Sequence, residues 1–93
     1  MKKTDLIEAI SKQSMISHSE SKRCVEVILK EISLSITSGK GVEVRGFGGF
    51  YKRHRKRRIG INPKTGEKVE VAEKFVPFFK PGKLLKEAVN KGL

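Results

Sequence analysis

The chain has 93 residues, a formal net charge of +11 and a single cysteine, Cys24. That length fits one domain with a modest core, and the lone cysteine excludes an intrachain disulfide and agrees with a reducing, cytoplasmic setting. The charge points to a polyanion, either nucleic acid or an anionic membrane.

The opening segment MKKTDLIEAISK carries basic residues, but Asp5 and Glu8 interrupt any apolar run, so it is not expected to be a signal peptide. No stretch reaches the roughly 20 apolar residues of a spanning helix, and a soluble protein is expected. Leu6, Ile7 and Ile10 recur at helical spacing, which predicts a helix from about Lys3 to Ser14, with Thr4 or Asp5 near its start as the cap. Ser17 and Glu20 then match the S-x-x-E capping box, and Val25, Ile28, Leu29, Ile32 and Ile36 form one apolar stripe of a longer amphipathic helix that stops at Gly39. Cys24 lies within it and is expected to be a small buried apolar side chain.

Beyond Gly41 the period changes from helix to strand. Val42 and Val44 alternate with Glu43 and Arg45, and Gly46, Gly48 and Gly49 mark a bend, a bulge or a close backbone approach. Alternation resumes at Val69 and Val71, and NPKTG between the runs has the composition of a turn. Residues 50–77 are therefore predicted to form a long β-hairpin with its tip near 62–66. Pro81 and Gly82 punctuate the chain before a short closing helix carrying Leu84, Leu85, Ala88 and Val89.

Charge is concentrated in this second half. Residues 47–93 carry 13 Lys and Arg against 4 acids, whereas residues 1–46 carry 8 against 6. From Lys52 to Lys68 there are 8 Lys and Arg and one acid, Glu67. Arg53, Arg55 and Arg57 would share one face of a strand, and Lys52, Lys56 and Arg58 the other. A strand charged on both faces cannot pack on a core, so the hairpin must project as a two-stranded arm, mobile until an anion organises it. Pro63 sits at its tip beside Ile61. Either it only makes the turn, or the exposed pair acts as an apolar wedge between base pairs.

The segments RGFGGF (45–50), GINPKTG (60–66) and FKPGK (79–83) resemble the HU and integration host factor family of bacterial DNA-bending proteins, in matching order along the whole chain. The resemblance implies an α+β fold and one DNA-binding domain over residues 1–93. A two-helix base would span about 3–39, an antiparallel sheet with a long protruding β-arm about 41–79, and a short closing helix about 82–91. It implies an intertwined dimer, with itself or with a related subunit, in which Phe47, Phe50 and Phe79 fill the shared core. It implies that Pro63 intercalates at the arm tip and that Arg53, Arg55, Arg57, Arg58, Ile61, Asn62 and Lys64 make up the arm in the minor groove. Lys3, Arg45, Gly46, Gly48, Lys80, Lys83 and Lys86 would meet the DNA backbone along the body. The function implied is sharp bending of duplex DNA in the bacterial nucleoid, which compacts the chromosome and assists nucleoprotein assembly in transcription, replication or recombination.

The chain departs from the family pattern where Ile61 replaces the usual Arg before Asn-Pro, and where Gly49 replaces a polar side chain. Arg45 resembles the beta subunit of integration host factor.

Two other partners fit the charge. An RNA or ribosomal site would suit it, but readers of single strands expose stacking aromatics, and only Tyr51 lies near the basic run. An anionic membrane would want a basic amphipathic helix, which RHRKRRIGINP cannot form. Enzymatic activity is not expected: His18 and His54 are far apart in sequence, no metal-ligand spacing is present, SGKG is too short for a phosphate loop, and no cofactor is implied.

Overall fold

The computed structural model describes residues 1–92, and its contacts divide the chain into two units, Met1–Ser35 and the segment from Ile36 onward.

The first unit is helical. Helix α1 spans Lys3–Ser14, and helix α2 spans His18–Thr37, its last residues lying past the boundary between the units. The cap of α1 lies earlier than the sequence implied. Lys2 holds the N-cap position, and Asp5, in the first turn, accepts the Lys2 backbone N–H at 2.7 Å. Asp5 thus supplies the carboxylate half of a capping box without itself being the cap. At α2 one half of the expected box is present: the Ser17 hydroxyl accepts the Glu20 N–H at 3.1 Å. Ser11 Oγ donates to the Ile16 carbonyl at 2.8 Å and fastens the short connection between the helices.

Only Ile7, Val25 and Ser21 are buried in this unit among the side chains of its helices. The stripe is only partly covered: Ile28 is 54% and Leu29 45% exposed with Val27 beside them, while Ile32 and Ile36 are half-buried. Cys24 corrects the expectation of burial: it is exposed, and with Ile16, Val27 and Ile28 it lines an apolar concavity on this helix. Helical periodicity fixed which residues share a face, but a face is buried only if something lies against it.

The second unit begins with a three-stranded antiparallel sheet, ordered β1 (Val42–Val44), β2 (Gly48–Arg55) and β5 (Lys74–Pro81). The glycine-rich stretch that followed Val44 is a chain reversal: the Phe47 N–H donates to the Val44 carbonyl at 3.0 Å, and β1 turns back along β2. β5 runs two residues beyond the predicted end of the sheet, and Pro81 faces Gly48. Pro77 is tolerated within β5 because that strand lies at the sheet edge, where a missing N–H breaks no ladder. Helix α3 spans Lys83–Asn90, within the predicted bounds.

The hairpin continues outward as β3 (Arg58–Ile61) paired with β4 (Lys68–Val71), a separate two-stranded ribbon. Residues 56–57 and 72–73 join the two segments. Arg55 faces Lys74 and Arg58 faces Val71, so each strand spends two residues on the joint and no bulge shifts the register. Side chains therefore keep alternating between the same two faces from the sheet to the tip.

Candidate nucleic-acid interface

One sheet face carries Phe50 and Phe79. Their ring centroids are 4.8 Å apart, and Phe47 joins them at 6.4 Å from Phe50 and 5.4 Å from Phe79. The three aromatics expected to form a core thus gather in one cluster. Phe47 remains 44% exposed, so the cluster is open on that side within one chain. Gly48 permits the packing: a Cβ there would lie 2.6 Å from the Lys80 carbonyl oxygen and 2.9 Å from the Phe79 ring.

The turn that carries Arg45 and Gly46 is tied to the start of α3, because the Gly82 N–H donates to the Phe47 carbonyl at 2.8 Å. This bond brings Arg45, Gly46, Gly48 and Lys80 to the rim of one concavity of about 280 Å³. Lys80 is exposed, and Lys83 and Lys86 follow on exposed positions of α3. Lys3 is exposed at the first residue of α1, in the helical unit.

The cations at the arm base are seated on aromatics, which the charge pattern did not reveal. The Arg53 guanidinium carbon lies 3.5 Å from the Phe78 ring centroid. On the opposite face Lys52 Nζ lies 4.5 Å above Phe75 and donates to the Thr37 carbonyl at 3.3 Å. Lys52 therefore braces the base of the arm. Phe75 is 61% exposed, and Phe78 is half-buried beneath its guanidinium. A cation over a ring face is favoured by about 0.5–1 kcal/mol at exposed sites and keeps its charge available to solvent.

Two further side chains of the basic run face carboxylates across the hairpin. Arg57 pairs with Glu70, and His54 Nε2 lies 3.0 Å from Glu73 Oε2 with its ring 5.0 Å from Phe75. The run 52–68 showed a single acid, yet β4 brings Glu70 and the joint after it brings Glu73 alongside. Arg55, Lys56, Arg58 and Lys64 have no carboxylate partner among the described residues. The register of the hairpin held the missing signal. Once the tip sets the pairing, Glu70 falls opposite Ile59, next to Arg57 on the same face.

At the tip, Asn62 does most of the turning. Its N–H donates to the Glu67 carbonyl at 2.8 Å, and its carbonyl accepts the Gly66 N–H at 2.7 Å. Its side-chain oxygen accepts the Lys64 N–H at 2.9 Å, an Asx turn. Gly66 closes the loop at φ +74°, in the left-handed region. Pro63 is left exposed between these bonds, and the turn requires no N–H from it. Ile59 and Ile61 stand on one face behind it, 74% and 70% exposed. With Ile at position 61, the tip presents three apolar groups, Ile59, Ile61 and Pro63, with Lys64 in the turn and the arginines set back along the arm.

Comparison with known proteins places these features in a family. The model of the family described as "Bacterial DNA-binding protein" matches residues 1–90. Integration host factor subunit beta of Alkalilimnicola ehrlichii is 47% identical over 93 residues, covering 99% of this chain and 93% of the relative. The same subunit of Halorhodospira halophila is 50% identical over 91 residues, covering 97% and 89%. Among solved structures, an Anabaena HU–DNA cocrystal is similar with a TM-score of 0.85 and 37% identity, over 96% of this chain and 97% of that one. HU from Thermotoga maritima is similar at 0.65 and 31% identity, over 96% and 98%.

Proposed function

The chain belongs to the bacterial DNA-binding protein family, and from that membership we propose that it is an architectural protein that binds duplex DNA as a dimer and bends it sharply through the minor groove. The observation that carries the reading is an exposed Pro63 at the end of a cationic ribbon whose register is unbroken from the sheet.

Phosphate neutralisation supplies most of the affinity. Arg55, Lys56, Arg58 and Lys64 meet the groove walls, Arg53 does so from its seat on Phe78, and Arg57 does so in competition with Glu70. Asn62 shapes the tip, and Ile61 lies beside the wedge. Pro63 enters a base step: its ring has an apolar face and no N–H to leave unmet. Family members are standard examples of this device, and the general cost of unstacking, a few kcal/mol per step, is offset by wrapping more DNA against the protein. Arg45, Gly46, Gly48, Lys80, Lys83, Lys86 and Lys3 take the backbone along the body. Easily deformed or already distorted duplexes cost less to bend and are preferred without base contacts.

The exposed part of the α2 stripe and the open Phe47, Phe50 and Phe79 cluster support the intertwined dimer, formed with a second copy or a related subunit as the relatives' subunit name allows. Contiguous apolar exposure of this kind marks an interaction surface. Residues 1–93 act as one DNA-binding domain in that assembly. The protein works as a binding protein rather than an enzyme, in the cytoplasm on the nucleoid. No described helix is long and apolar enough to cross a membrane.

The test is a bending assay by end-to-end fluorescence transfer on random and pre-distorted duplexes, with structured RNA as competitor. Duplex DNA is expected to win the competition and to bend. Pro63→Ala should reduce bending far more than affinity. An equal loss of both would remove the wedge, and RNA winning the competition would replace the partner.

A further inference from the structure

We propose that the Tyr51 hydroxyl is a phosphate-binding group on the sheet, held in place by two glycines beneath its ring. The inference rests on the DNA-binding reading and adds to it a contact that neither charge nor motif supplies.

Tyr51 lies on the sheet face opposite Phe50, and its ring is laid over the backbone of Gly41 and Gly49. A Cβ at residue 41 would lie 2.7 Å from Cδ1 of the ring, and one at residue 49 would lie 2.5 Å from Cε2 and 2.6 Å from Cζ. Those distances are shorter than real Cβ contacts, so the ring occupies space that any other residue at either position would claim. It is supported along one edge by Gly41 and at its hydroxyl end by Gly49, which is itself buried. A ring pinned in this way gives up little freedom when it binds.

Tyr51 lines the same concavity as Glu43, Arg45, Gly46, Gly48 and Lys80, and Gly49, which lies against its hydroxyl, lines it too. The hydroxyl has no hydrogen-bond partner among the described residues. Two cations against one carboxylate make the rim attractive to an anion, and a turn and a strand end leave backbone without side chains in the way. A phosphate oxygen drawn to Arg45 and Lys80 meets an O–H donor whose ring is already in place. Tyrosine is a standard phosphate ligand through this O–H.

The chain contains one tyrosine and no tryptophan, so the site reports on itself. With 3-fluorotyrosine incorporated in the full chain, a single fluorine resonance is expected, and a stoichiometric 30-base-pair duplex should shift it. Tyr51→Phe keeps the ring and removes only the donor. It should weaken duplex binding about ten- to 150-fold, the range for one hydrogen bond to a charged acceptor, with an unchanged salt slope because no charge is lost. Gly49→Ser displaces the ring and should weaken binding to a similar extent, while adding it to Tyr51→Phe should change affinity by less than about twofold, since both act through one hydroxyl. A fluorine resonance unmoved by DNA, or a Tyr51→Phe chain that binds like the parent, would overturn the proposal and leave DNA binding intact. An unsubstituted chain that fails to bind duplex DNA would instead overturn the function on which it rests.

Discussion

Glu70→Gln should make this protein a tighter DNA binder, although no change is made to any basic residue. Glu70 pairs with Arg57 across the ribbon, and the two side chains are 56% and 72% exposed. A pair so open to solvent contributes only about 0–1 kcal/mol, so the arm loses little when it is removed. The consequence for binding depends on what DNA does to the pair. If the pair survives in the groove, Arg57 neutralises no phosphate, and the substitution frees one cation per arm. Each added phosphate contact steepens the log–log salt slope by about 0.9, which at 0.1 M salt corresponds to about eightfold in affinity relative to 1 M. If DNA breaks the pair, binding already bears its loss, and the substitution relieves at most about 1 kcal/mol per arm, about fivefold, with little change of slope. Fluorescence anisotropy titrations across 0.05–0.3 M salt separate the two cases by slope. Unchanged or weaker binding at every salt concentration would refute the reasoning, because it would mean that Glu70 serves the complex by holding Arg57 in position.

Ile61→Arg places a cation on the exposed tip beside Pro63. It should tighten binding and steepen the salt slope by about 0.9 per arm while leaving the bend nearly intact; a weaker complex in the same titration would show that Ile61 itself contacts the DNA. Ile28→Glu puts a charge on the exposed part of the α2 stripe, and a charge buried there without a partner should cost the dimer about 3 kcal/mol or more. Light scattering after size exclusion should then show loss of the dimer, and an unaltered mass and melting temperature would place the subunit interface elsewhere. Phe78→Ala removes the seat of the Arg53 guanidinium without removing its charge. Duplex affinity should fall by about two- to fivefold, the worth of an exposed cation–π contact, with the salt slope preserved; a change of slope would mean that Arg53 has been lost from the interface altogether.

Three kinds of information in this molecule were local, and the sequence carried all of them. Helix phase followed from apolar spacing in α1 and α2, because 3.6-residue periodicity needs no knowledge of the partner. The tip was legible from NPKTG, because Asn, Pro and Gly each enforce a turn through their own backbone or side chain, and Asn62 and Gly66 do so here. The projection of the arm followed from charge on both faces of a strand. The wider identity was legible because RGFGGF, GINPKTG and FKPGK fall in one order along one chain.

Only the tertiary structure decided what each side chain meets. Cross-strand pairing set Glu70 against Arg57 and Glu73 against His54, so a run that reads as almost purely cationic is partly neutralised by residues some 13–19 positions away. The same pairing seated Arg53 on Phe78 and Lys52 on Phe75, and it spread Tyr51 over Gly41 and Gly49. Cys24 and Ile28 lie on the α2 surface where apolar character predicted burial, because periodicity states which residues share a face and burial depends on what covers it. Among the described residues that cover is not supplied, which is the physical reason for proposing that a chain of this size is completed by a second subunit.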